Sequence, residues 1–85
     1  MKIILPNYFC EVNELEINCE NLEGLKIRLK EENEQILNLL FDNYGNINNN
    51  VIFAMNGKVV KKEMYSSLEF QKDSILEVLV QFAGG

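Results

Sequence analysis

A chain of 85 residues with a net charge of −5 and no histidine leaves several functions without the chemistry they need. The acidic balance argues against nucleic acid, because phosphate binding needs clustered Lys and Arg, and it suits a partner with a basic surface. The lack of His removes the commonest general base and metal ligand, two cysteines alone make no zinc site, and no Walker or GxGxxG pattern is present, so the chain is not expected to be an enzyme in its own right.

The length predicts one domain over residues 1–85. A chain this short buries only about 60–65% of its unfolded surface, which is adequate for a core but leaves little margin. There is no run of 18 apolar residues to span a membrane, and "MKIILPN" turns polar too early for a signal peptide, so a cytoplasmic location is expected. In that compartment Cys10 and Cys19 are expected as free thiols.

In chain order, "KIILPNYF" reads as a first strand, with Pro6 at an edge or bulge. "LEINCE" alternates, with Leu15, Ile17 and Cys19 on one side and Glu16, Asn18 and Glu20 on the other, which predicts a half-buried second strand. The short polar "EVNE" between them predicts a hairpin. In "NLEGLKIRLKEENEQILNLLFDN", Leu22, Leu25, Leu29, Ile36 and Leu40 fall on one helical stripe. Asn21 is the expected N-cap, Glu23 suits the positive end of the helix dipole, and "EENE" is a possible break into two helices. The remaining charges read as a solvated face.

"YGNINNN" predicts a loop, and "VIFAMNGKVV" a strand, an Asn56-Gly57 turn and a short return strand. "KKEMYSSLEFQKDS" reads as connection, with Leu68 or Phe70 entering the core. "ILEVLVQF" is the last strand, with Leu76, Val78, Val80 and Phe82 on one face and Ile75, Glu77, Leu79 and Gln81 on the other. Both faces are largely apolar, which places this strand in the middle of the sheet, beside the first. Strand, strand, helix, strand, short strand, strand is the order of an α+β, ubiquitin-like β-grasp: a mixed sheet packed on one main helix.

On that order two stretches carry a resemblance. "LLFDNYGNINNNVIFAMNGKVV" is similar to the centre of the MoaD/ThiS sulfur-carrier family, where a helix ends in Leu-Phe-Asp, a Gly-Asn turn follows and a strand runs into Asn-Gly. "FQKDSILEVLVQFAGG" resembles the family's ending: an apolar anchor, a Gly-Asp turn, a final strand and Gly-Gly. The likeness covers roughly residues 20–85. The chain departs from it at Asp73-Ser74, where the family has Gly-Asp, and at Val80-Gln81, where many members have Pro-Pro. Asp tolerates a left-handed backbone better than most residues, so the turn at Asp73 is expected to survive.

The resemblance implies that the Gly85 carboxylate is the reacting group. A carboxylate is ionised at neutral pH and is a poor electrophile. An E1-like adenylyltransferase of the MoeB/ThiF type would join AMP from ATP to it, with magnesium held by that enzyme, and a sulfur donor protein would displace AMP to leave a thiocarboxylate. The carrier itself would bind no cofactor stably. The sulfur would pass to a second enzyme: the large subunit of molybdopterin synthase, toward which size and "LLFDNYGN" lean, or thiazole synthase in thiamine formation. Carriers for tungsten cofactor or cysteine synthesis, and a ubiquitin-like modifier conjugated to lysines through Gly85, share the activation step. A plain β-grasp interaction domain with an incidental glycine pair is the remaining alternative.

Within a tail of residues 82–85, Gly84 and Ala83 would give access to a narrow channel, glycine having no side chain to obstruct it. Phe82 is either a tail anchor in a partner pocket or the last core residue of its strand. Leu79 is either part of a docking face or buried in a fully covered strand. Cys10 and Cys19 read as packed strand cysteines rather than sulfur-handling thiols. Lys58, Lys61 and Lys62 form a small basic cluster, solubilising or open to conjugation. Asp73 and Glu77 read as a turn Asp and a strand Glu, not as an acid–base pair.

Overall fold

The computed structural model describes residues 1–6 and 13–81. β1 (Lys2–Ile4) pairs antiparallel with β2 (Glu14–Glu16), with Ile3 opposite Leu15. Both strands are shorter than their apolar patterns predict. The pairing is continued instead by single backbone bonds, Leu5 N to Asn13 O at 2.8 Å and Ile17 N to Met1 O at 2.9 Å. The Met1 amino group donates to Ile17 O at 3.0 Å and pairs with the Glu16 carboxylate at 2.8 Å. Pro6 follows β1, where it removes no ladder donor. Cys10 and the centre of the predicted first hairpin lie outside the described residues.

The helical stripe is divided as "EENE" suggested, so the one main helix is two: α1 (Leu22–Glu32) and α2 (Glu34–Leu40). Asn21 caps α1 by accepting from Gly24 N at 2.8 Å. Asn33 closes the first helix and opens the second: its N–H reaches Leu29 O, and its side chain accepts from Ile36 N at 3.1 Å. Leu25, Leu29, Ile36 and Leu40 are buried, and Leu22 packs against them. The charges lie on the solvated side, as the Arg28–Glu32 pair at 3.1 Å illustrates.

Phe41 ends α2 and enters the core. Asp42 then organises the loop: its carboxylate accepts from Tyr44 N at 2.9 Å and Asn46 N at 3.0 Å, and its backbone N–H donates to Asn46 O. Gly45 sits at φ +82°, where a side chain would be strained. These contacts give a physical reason for the Leu-Phe-Asp and Gly-Asn pattern: two core anchors, one clamp and one left-handed turn residue.

β3 (Val51–Met55) turns at Asn56 (φ 51°) and Gly57 (φ 87°) into β4 (Lys58–Val59). Asn56 also extends the neighbouring ladder, donating from N to Ile75 O at 2.9 Å and accepting from Ile75 N at its side-chain oxygen at 2.8 Å. The stretch expected as plain connection holds a 3-10 helix at Lys62–Ser67. Beyond it Phe70 is buried, with Leu68 packed against the core.

Asp73 does not adopt the left-handed backbone foreseen for it, since Asn56 alone does so among described non-glycine residues. The buried Ser74 closes that turn instead. Its Oγ accepts from Gln71 N at 2.8 Å, its N–H donates to Gln71 O, and its carbonyl receives Lys2 N at 3.0 Å. β5 (Ile75–Val80) follows, parallel to β1 and antiparallel to β3, so the sheet order is β2-β1-β5-β3-β4. This is the mixed sheet with a central last strand that the sequence predicts.

Phe53→Ala, at a fully buried ring tilted against Tyr65 at 5.5 Å, is expected to cost about 3–5 kcal/mol in urea denaturation. Asn33→Ala, which removes only a cap, is expected to cost about 1 kcal/mol.

Candidate functional site

The two faces of β5 have different fates. Leu76 and Val78 are core residues and Val80 packs against them. Ile75 and Leu79 are 39% and 44% exposed. The fully covered strand considered for Leu79 is therefore not what forms: the strand is central because both its edges are paired, while its outer face stays open.

The register defines the outer face. Ile52 stands opposite Leu79, Ala54 opposite both Glu77 and Val59, and Ile4 opposite Glu77 on the other flank. None of these belongs to the core cluster on the helical side. The result is a patch in which Ile4, Ile52, Val59, Ile75 and Leu79, with the buried Ala54 beneath, surround the Glu77 carboxylate, while Lys2, Glu14 and Glu16 occupy the same face on its β1–β2 side. A pocket of about 280 Å³, lined among others by Ile4, Pro6, Glu77 and Leu79, lies where β1 ends beside the second half of β5.

The chain leaves this face at Val80, and Gln81 N is held by Asn50 O at 2.8 Å. Phe82, Ala83, Gly84 and Gly85 lie outside the described residues. Of the sequence-derived site residues, Leu79 is thus the one placed by the structure, exposed on the outer face at the root of residues 82–85. Glu77, read from sequence only as a strand residue, is the addition. Its signal was a charge interrupting an apolar stripe, ambiguous until the strand's neighbours were known.

The other candidates do not converge here. Cys19 is a half-buried free thiol beside Met1 and Phe70. Burial raises its pKa above the ordinary thiol range, opposed by the positive Met1 amine and Arg28. Lys58, Lys61 and Lys62 are exposed. Lys62 borders a cavity of about 480 Å³ with Lys26, Phe41 and Tyr65 on the helical side, which shares no lining residue with the sheet-face pocket. Asp73 is exposed in its turn. Among the described residues no helix is long and apolar enough to cross a membrane.

No known protein family matches the chain as a whole or in part, and no curated protein matches it in sequence. Its fold is shared with a solved structure, the crystal structure of Sulfolobus solfataricus Urm1. The two superpose with a TM-score of 0.68 at 16% identity, over 95% of this chain and 100% of that one. The chain thus has the ubiquitin-like β-grasp fold.

Leu79→Ala is expected to change stability by less than about 1 kcal/mol, against about 2–5 kcal/mol for Leu76→Ala on the buried face of the same strand, both read by chemical denaturation. Iodoacetamide should alkylate Cys19 more slowly in the folded than in the unfolded chain at the same pH. A raised folded-state thiol pKa also means that stability is intact below the ordinary thiol pKa and declines as pH rises through it.

Proposed function

We propose that this chain is a sulfur carrier whose Gly85 carboxylate is adenylylated by an E1-like enzyme and then converted to a thiocarboxylate, most simply for molybdopterin synthesis. In the activation step a carboxylate oxygen attacks the α-phosphorus of ATP and pyrophosphate leaves. A sulfur nucleophile then displaces AMP from the acyl carbon. ATP, magnesium and the catalytic groups belong to the activating enzyme, and this chain contributes recognition and the reacting end.

The observation that carries the reading is the position of β5. It is clamped between β1 and β3, it borders an open apolar face, and Gly84 and Gly85 follow its last residue by four and five positions. Five residues reach at most about 18 Å when extended, so a partner seated on that face has the reacting group within its own compass. The exposed Leu79 is the natural contact at the root of the tail. The likeness in fold to Urm1 supports a ubiquitin-like carrier or modifier in general.

That likeness fits equally a modifier conjugated through Gly85, and a carrier for thiazole synthesis uses the same first step. Adducts of the chain on lysines of other proteins would favour the modifier. Pathway genes beside the coding sequence would separate molybdenum from thiamine use.

Intact-mass measurement of the chain produced with its activating enzyme, ATP and a sulfur donor tests the proposal. The expected result is an oxygen-to-sulfur mass gain confined to Gly85 and absent when Gly85 is deleted. A chain that stays unmodified under those conditions contradicts it.

A further inference from the structure

Glu77 is bordered by apolar residues on four sides. Ile75 and Leu79 lie before and after it on the same face of β5, and Ile4 and Ala54 stand opposite it on the two neighbouring strands. It forms no ion pair with any described residue, whereas the nearby cations are engaged: Lys2 with Glu14 at 3.7 Å and the Met1 amine with Glu16 at 2.8 Å. It is paired on both sides, to Ile4 and to Ala54, so it is not itself an edge residue, the usual place for a protective charge on a strand. It also walls the pocket of about 280 Å³ whose other sides include Ile4, Pro6 and Leu79.

A carboxylate in this setting limits what can cover the face. An apolar partner laid over Ile75 and Leu79 would strip water from Glu77 and leave a buried, unpaired charge, which costs far more than the flanking contacts return. A partner that brings a cation to the same spot avoids that cost. The geometry points to the sheet-face pocket as the seat of one basic side chain of the activating enzyme, its aliphatic stem against Ile4, Pro6 and Leu79 and its charged end on Glu77. Arginine fits better than lysine, because its planar head is less strongly hydrated and meets a carboxylate through two parallel hydrogen bonds. The inference rests on the carrier reading for the identity of the partner. Its content is the partner's chemistry: an apolar surface with a single cation opposite Glu77, which rejects ubiquitin-like partners whose own face is purely apolar or basic at that point.

The experiment measures adenylylation of the chain by the E1-like enzyme encoded in the same genome, with Gly85 intact, for the wild type, Glu77→Gln and Glu77→Lys. Thermal melts confirm that the variants fold, as expected for an outward-facing position. Glu77→Gln is expected to raise the KM for the chain roughly 30-fold or more with kcat changed less than about two-fold, and Glu77→Lys to raise it further. The wild-type KM should rise with salt, and that dependence should weaken in Glu77→Gln. A KM unchanged in Glu77→Gln, while the wild type is adenylylated normally, overturns this inference and leaves the carrier reading standing, Glu77 then serving only solubility. A wild-type chain that the enzyme never adenylylates overturns the carrier reading and this inference with it.

Discussion

The pairing of β5 on both edges is the constraint from which the rest of the molecule follows. From Ile75 to Glu77 it is bonded parallel to β1, and from Leu76 to Val80 antiparallel to β3. A parallel neighbour cannot be reached by a tight turn, so the chain between β1 and β5 has to cross the sheet, and α1 and α2 make the crossing over one face only. Leu76 and Val78 enter the core beneath those helices, each contributing about 1.5–3 kcal/mol by burial. The opposite face of the strand receives no cover from the described residues.

That asymmetry separates stability from recognition. Ile3, Leu25, Leu29, Leu40, Phe53 and Leu76 share a single core on the helical side, while the outer face of the sheet keeps Ile75 and Leu79 in solvent. An apolar surface can be left open at little cost to folding when its strand is secured by hydrogen bonds on both sides. The β3 ladder, which runs as far as Val80 and is continued by Gln81 N to Asn50 O, makes the strand a stiff base for whatever follows, a property a carrier needs if another protein is to do chemistry on its last residues.

The elements were legible where local chemistry decides them. Asn21 announced a helix start because a short amide side chain replaces a missing backbone partner, "EENE" marked the break that Asn33 turns out to cap, and Asn56-Gly57 announced a hairpin because both residues accept positive φ. The apolar character of both faces of residues 75–80 gave the central strand correctly. It could not tell a doubly buried strand from one with an open apolar face, because hydrophobicity records compatibility with burial and not the presence of a cover. Three features depended on tertiary contacts and left little trace in the sequence. The 3-10 helix at Lys62–Ser67 forms on a segment without apolar periodicity. Ser74, with its oxygen inside the turn, does the work expected of a left-handed Asp73. Glu77 acquires meaning only once Ile4 and Ala54 are known to flank it. The site residues Phe82, Ala83, Gly84 and Gly85 were proposed from the resemblance and the tail pattern, and Leu79 is the one of that group whose surroundings the structure defines.

The measurement closest to the centre of this account is ATP–pyrophosphate exchange catalysed by the cognate E1-like enzyme in the presence of the chain. Exchange that depends on the intact chain and disappears when Gly84 and Gly85 are removed is the result the account predicts. Exchange indifferent to that removal, or none with the intact folded chain, would contradict it.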